Sequence, residues 1–271
     1  MAAMNLPGDM DSVTRMLVDG NRVFAQIQHV LWVMLRIGTL LMVMPMLGTL
    51  PMRVRALLAM VLSVTLAPLL PLNTVLENWQ AMALLAVARE LAVGATLGFL
   101  LRLMFETASL AGEWVAQGTG LAFAQMNDPL RGSHSGILGQ WFYVLFGLLF
   151  FASNGHLALI ALILDSYHAL PIGNELPNLH GLLAWLPSLA GQIFRSALTL
   201  ALPLMVAMLA VNVAFGVLAR AAPTLNPMQL GLPVTVLLGL FLLTLLTADM
   251  ALPVQQLLDN TFTAMRQVTA P

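Results

Sequence analysis

Cysteine and lysine are both absent from this chain. Without a thiol there is no disulfide, no zinc thiolate site and no cysteine nucleophile. Without lysine, all 11 basic residues are arginine. Arginine keeps its charge when desolvated, and its forked guanidinium suits buried pairing better than an ammonium does. Charge of either sign is scarce, at 8% of residues, against about a quarter in an ordinary soluble domain. The 11 basic and 12 acidic residues nearly cancel, so no basic footprint points to nucleic acid. A signal-peptide pattern is missing as well, because Asp9, Asp11 and Asp19 stand where a basic n-region and an apolar core would be needed. Entry into a membrane is therefore expected to rely on later apolar segments.

Those segments dominate the chain. Of 271 residues 59% are hydrophobic and the mean hydropathy is +0.89, a composition that excludes a water-soluble monomer. Six apolar regions read as helical, at 30–50, 54–70, 79–105, 137–164, 182–219 and 232–252, since about 20 apolar residues cross the hydrocarbon core. The expected fold class is all-α, made of membrane-associated helical hairpins. Arg36, Arg89 and Arg195 fall inside apolar regions, where an unpaired charge is costly.

Polar residues are few enough to weigh one by one. If a helix continues from Arg102 to Gly120, then Glu106, Ser109, Glu113 and Gly120 fall within roughly 40° of Arg102. Such a stripe suits a watery passage, polar partners in another subunit, or a solvated surface helix between two membrane segments. Residues 112–129 hold three glycines and several small polar side chains, which predicts an irregular segment buried in protein or lining a cavity. Gly94 and Gly98 form a small-xxx-small pair that lets another helix approach closely. Pro203 predicts a kink.

Enzyme and metal chemistry find little support. His156 and Asp165 are nine residues apart, which on a straight helix places them on opposite faces, so they form no dyad. No HExxH and no nucleophile elbow occurs. Met42, Met44 and Met46, followed by Met52, suggest thioether ligation of copper(I). With no cysteine and no clustered histidine beside them, packing is the preferred reading. No catalytic, cofactor-binding or metal site is assigned.

The run ASNGHLALI places Asn154, Gly155 and His156 inside an apolar stretch long enough to span. Asparagine and glycine tolerate the left-handed conformation that ends a helix, so this region is expected to be bent or hairpin-like. The alternative is a plain helix whose Asn154 and His156 bond to a neighbour.

The residues also carry a family resemblance. The run NDPLRGSHSGILGQWFYVLFGLLFFASNGHLALIALILDSYHALPIG at 127–173 resembles the FliR family of flagellar type III export-gate proteins. So do 35–68, with Arg36, Pro45, Pro51 and Arg53, and 222–236, with Pro223, Asn226, Gly231 and Pro233. One departure is plain: the family often has a lysine just after the Gly-x-Pro element, where Val234 and Thr235 stand here.

The resemblance implies a non-enzymatic subunit of a protein export channel, related to the injectisome SctT proteins. Residues 1–180 would be FliP-like, with a pore-plug segment at about 106–129, and 181–271 a FliQ-like helical hairpin, built into a helical hetero-oligomer. Its partners would be FliP-like and FliQ-like subunits, FlhB-like and FlhA-like export proteins, unfolded protein substrates and membrane lipid. The location implied is the bacterial inner membrane and flagellar basal body, with part of the assembly raised toward the periplasm. Gly112, Gln117, Gly118, Gly120 and Phe123 would close the resting pore. Arg102, Glu106 and Glu113 would meet partners or the lumen, Met42, Met44 and Met46 would pack against neighbouring subunits, and Arg36, Arg89 and Arg195 would be buried between subunits. A small-molecule secondary transporter, which also uses broken helices and intramembrane polar residues, is the alternative.

Overall fold

A computed structural model describes residues 8–70, 82–120, 136–172, 179–221, 227–247 and 250–269. Every regular element among them is helical: α1 (Gly8–Val43), α2 (Met52–Leu66), α3 (Met82–Thr119), α4 (Ile137–Ala152), α5 (Gly155–Ala169), α6 (Leu179–Ala221), α7 (Pro227–Leu246) and α8 (Ala251–Thr269), with short 3₁₀ turns at Pro45–Thr49 and Ala67–Leu69. The all-α expectation holds.

Proline and left-handed residues set the breaks. Met44 precedes Pro45 and adopts ψ 126°, because the proline ring clashes with a helical residue before it. Pro51, also extended, starts α2. Gly120, with φ 77°, follows the last residue of α3, the usual place for a glycine that ends a helix. The expected irregular backbone from Gly112 is corrected here: α3 is helical through Gly112 and Gly118 to Thr119. A helix-interior glycine costs only about 1 kcal/mol, and Gly112 is held by a close contact described below.

Four helical stretches are long and apolar enough to cross a membrane: Arg22–Val43, Met52–Leu69, Leu84–Thr119 and Gly191–Leu218. A fifth is the pair α4 and α5 if they count as one broken span; they meet at a 70° bend. The apolar part of α7 is shorter, Pro233–Leu245. α8 is not a span. Its apolar residues Val254, Leu257, Leu258, Ala264 and Met265 are buried, while Gln255, Gln256, Asp259, Asn260, Thr263, Arg266 and Gln267 are exposed.

The chain folds as two compact units that interleave in sequence, one from Met1–Gly98 with Ile163–Pro177, the other from Phe99–Leu162 with Asn178–Ala270. In the first, α1 and α2 pack as a hairpin whose turn is closed by Arg55 donating to the carbonyls of Leu50 (3.0 Å) and Gly48 (2.8 Å). The buried His29 ring donates to the Ala67 carbonyl at 3.1 Å. α3 meets α1 through the pair singled out above. A Cβ on Gly94 would lie 2.1 Å from Thr39 Oγ1, and one on Gly98 would lie 2.7 Å from the Leu40 carbonyl. The second unit has an aromatic core. Phe105 of α3 packs edge-on against Phe146 (4.9 Å) and Phe150 (5.9 Å), and tilted against Tyr143 (5.3 Å), residues of α4 spaced three, four and seven apart along one face.

Candidate functional site

The polar stripe of α3 resolves into three different arrangements. Arg102 and Glu106 form an i,i+4 ion pair at 3.6 Å, with side chains 56% and 52% exposed on an otherwise apolar helix. Such a pair contributes little stability, but it marks a face that lipid does not cover cheaply. Glu113, one helical turn beyond the buried Ser109, turns inward and accepts the backbone N–H of Gly136. Gly136 is the N-cap of α4, so the carboxylate meets an orphan donor at the positive end of that helix. Glu113 therefore has a partner within the chain.

Gly112 stands beside it for a steric reason. A Cβ there would lie 2.4 Å from the Leu138 carbonyl and 2.7 Å from Gly139 Cα. The missing side chain thus permits the close crossing of α3 and α4. Further along, the Gly118 carbonyl accepts from the Asn212 amide of α6 at 3.1 Å, and Thr119 fills the space where Gly239 of α7 lacks a side chain, a Cβ there falling 2.4 Å from Thr119 Cγ2. Gln117 is exposed. The end of α3 is thus cradled by α4, α6 and α7, and Gly120 turns the chain out of the helix. Phe123 lies outside the described residues.

The α4–α5 break divides its labour between two residues. Asn154 takes the left-handed backbone, φ 58°, which asparagine tolerates better than most residues. Gly155 is needed for space: a Cβ would lie 2.5 Å from Phe150 Cδ2 and 2.9 Å from the Phe150 carbonyl. His156 is half-buried with its ring 5.4 Å from that of Phe151, and its buried Nδ1 has no hydrogen-bond partner among the described residues.

Alternate methionines diverge. Met42, in the last turn of α1, is 45% exposed, and Met44, just past the end of that helix, only 7%. Met44 packs inside its own chain, a correction to its expected place against a neighbouring subunit; Met46 is half-buried.

Arg36 is the residue whose partners sequence reading missed. It and Glu90 are both fully buried, joined by Nε to Oε2 at 2.7 Å and Nη2 to Oε1 at 3.0 Å. Nη1 donates to the Ser166 carbonyl (2.9 Å) and Oγ (3.1 Å), and Nη2 to the Leu170 carbonyl (2.9 Å). Those five bonds use all five guanidinium donors. The guanidinium also lies 4.0 Å from the ring centre of Tyr167, whose hydroxyl donates to the Val33 carbonyl at 3.0 Å. Helices α1, α3 and α5 are thereby tied within one chain, which corrects the expected burial of Arg36 between subunits. Glu90 lies 54 positions away, and no local pattern could have paired them. Arg195 is exposed.

Among known proteins the chain matches the model of the bacterial export proteins, family 1, over residues 27–261. It is 35% identical over 239 residues to the flagellar biosynthetic protein FliR of Escherichia coli (strain K12), covering 88% of this chain and 91% of that protein. To FliR of Pectobacterium carotovorum subsp. carotovorum it is 36% identical over 194 residues, 72% of this chain and 74% of that one. FliR of Aquifex aeolicus (strain VF5) is 32% identical over 214 residues, with 78% and 81% covered.

Proposed function

We infer, because the chain belongs to the FliR family of bacterial export proteins, that it is a subunit of the flagellar type III protein export gate and forms part of the channel for unfolded flagellar proteins across the inner membrane. The observation that carries this reading is the extent of the match, which takes in α2 to α7 whole and about half of α1 and of α8 rather than one hairpin. The same family membership does not favour a small-molecule secondary transporter. Nothing in the reading calls for enzymatic chemistry in this chain.

Physical features support membership of a larger assembly. α3 has 38 residues and α6 has 43, about 57 and 65 Å at 1.5 Å per residue, roughly twice a hydrocarbon core of about 30 Å. Tilts of up to about 40° do not absorb that excess, so part of each helix stands outside the bilayer. Large apolar side chains are exposed along α2 (Val54, Leu57, Val61, Val64) and α6 (Phe194, Leu198, Leu209, Val213). Those faces are the surfaces offered to lipid and to FliP-like and FliQ-like subunits, with residues 1–180 occupying a FliP-like place and 181–271 a FliQ-like one. FlhB-like and FlhA-like proteins complete the apparatus, and part of it is raised toward the periplasm. Gln117, Gly118, Gly120 and Phe123, at and beyond the cradled end of α3, close the resting pore, while Gly112 anchors that end against α4. Arg102 and Glu106 face a partner or the lumen, and Met42 and Met46 pack on neighbours.

In-frame deletion in the native host should abolish secretion of hook and filament proteins. The tagged chain, purified in mild detergent, should appear by native mass spectrometry as one copy with several FliP-like and FliQ-like subunits. Undiminished secretion, or a stable monomer without such partners, would overturn the reading.

A further inference from the structure

The carbonyls in the last turn of α3 have no partner inside the helix ladder, and two of them find one by different means. The Thr119 hydroxyl donates to the Ala116 carbonyl at 3.2 Å, a bond within α3 itself. The Gly118 carbonyl accepts from the Asn212 carboxamide at 3.1 Å, across to α6 and 94 positions away in sequence. Met208 stands four residues before Asn212, on the same face of α6, and is fully buried. A Cβ on Gly118 would lie 3.5 Å from Met208 Cβ, and one on Gly239 of α7 would lie 3.6 Å from Met208 Sδ and 2.4 Å from Thr119 Cγ2. Met208 and the gap at Gly239 thus form a seat for the buried Thr119, and Asn212 ties down the backbone beside it.

That tie lies at the margin of the packed region. Asn212 is exposed, as are Val213, Ala214 and Val217 after it, and a Cβ on Gly216 would meet nothing within 4 Å. Earlier in α3 the hold is of another kind. Gly112 admits the Leu138 carbonyl and Glu113 accepts the Gly136 N–H, so α4 stays fixed to α3 whether or not the last turn keeps its place on α6. Segments that move are drawn from such weakly held margins, and here one exposed bond decides the matter between α6 and the Gly118 backbone.

We propose that Asn212 is the latch of the resting gate: its carboxamide pins the last turn of α3 to α6 while the pore is shut, and that turn leaves α6 when a polypeptide passes. The proposal rests on the reading above that Gln117, Gly118 and Gly120 close the pore. A carboxamide suits the task, because it donates to a carbonyl without carrying charge. Release leaves no unpaired ion behind, and at an exposed site water takes up the freed carbonyl and amide. One neutral hydrogen bond biases two states by about fivefold, enough to favour the shut gate without locking it.

The test uses the whole export gate purified from the native host and, for transport, the host itself. In planar lipid bilayers, Asn212→Leu, which nearly keeps the volume and loses the donor, should raise the open fraction of the gate's ion conductance about fivefold. Because the chain has no cysteine, the same contact can also be closed at will. The pair Gly118→Cys and Asn212→Cys places a Cβ at 118 an ordinary 3.5 Å from Met208. Joined in the cell by a short bifunctional thiol reagent, the pair should stop secretion, which should resume when the link is reduced. A merely structural contact would stay together during transport and be indifferent to the link. This arm holds even where Asn212→Leu does not assemble. An open fraction within about twofold of the parent, a pair that does not join in resting cells, or secretion that continues while the pair is joined would each overturn the latch. Secretion in a strain that lacks the chain separates the two readings. Lost secretion there, with a joined pair that still exports, removes the latch and leaves the export role, whereas undiminished secretion removes both.

Discussion

Replacing Glu90 by glutamine tests whether Arg36 is satisfied inside its own chain. The substitution keeps the volume but turns one carboxylate oxygen that accepts from Arg36 into an amide donor and removes the compensating charge. Both side chains are fully buried, so water cannot take over. Breaking such a buried pair costs about 3–5 kcal/mol. At roughly 2–4 °C per kcal/mol for a chain of this size, the melting midpoint of the isolated chain in mild detergent should fall by roughly 6–20 °C. Tryptophan fluorescence is a suitable readout, the chain having 5 tryptophans. Removing both charges, as Arg36→Met with Glu90→Leu, should recover part of that loss, because a matched apolar pair leaves no uncompensated charge. It will not recover all of it, since the carbonyls of Ser166 and Leu170 lose their donor. A Glu90→Gln chain that melts within about 2 °C of the parent would refute the reasoning. So would a variant whose only defect is lost co-purification of partner subunits, because Arg36 would then act between chains.

Three further substitutions separate steric from conformational roles. Gly155→Ala should cost about 1–3 kcal/mol, since its Cβ meets both the ring and the carbonyl of Phe150, whereas Asn154→Gly should leave the melting midpoint unchanged or slightly raised, glycine being at ease at φ 58°; the reverse order would be incompatible with the bend described. Gly112→Val should destabilise by a similar amount through the Leu138 carbonyl, and a chain that melts like the parent would show that α3 and α4 do not cross so closely. Met44→Ala should cost about 2–5 kcal/mol in the isolated chain and Met42→Ala less than about 0.5, with Met42→Ala instead reducing recovery of co-purifying subunits; equal losses of stability would refute the split in burial.

Much of this was legible in the sequence, unevenly. Apolar runs separated by proline marked the helical regions, because helix propagation and its interruption are local matters. Gly94 and Gly98 announced a close helix contact, and α1 meets them. The Asn-Gly pair marked a bend because a left-handed residue is a local requirement. The errors fall where distance in sequence hides proximity in space. Glycine-rich composition after Gly112 suggested irregular backbone, but the glycine is there to admit Leu138 and Gly139, and a sequence shows that a side chain is missing without showing what fills the gap. Glu113 read as one member of a polar stripe, yet its partner is a backbone N–H 23 residues on. Periodicity gives the face on which a residue lies, and the element packed on that face decides what the residue does.

The charges of α3 also fix how deep that helix sits. Its 38 residues are too long for one crossing, and Arg102 with Glu106 stands exposed near its middle. Centred in the bilayer, α3 would hold that pair at the hydrocarbon midplane, where each charged side chain costs about 2.5–3.5 kcal/mol or more. Slid along its axis, it puts the first 20 residues in the membrane, about 30 Å of helix. The charges of that half, Arg89 and Glu90, are buried within the chain. The second half, with Arg102, Glu106 and Gln117 exposed, then stands outside the hydrocarbon, and the cradled end at Gly120 stands about 27 Å beyond it. Because the chain has no cysteine, single cysteines report depth without background. A membrane-impermeant maleimide, applied to the isolated chain in lipid vesicles of mixed orientation after opening them, should label Glu106→Cys and Gln117→Cys and spare Leu84→Cys and Leu91→Cys, although both leucines are on the exposed surface. Labelling of Leu91→Cys as fast as Gln117→Cys would place the membrane elsewhere on α3. Protection of all four would mean that the bilayer bends or thins around the helix, and that length and charge do not set its depth.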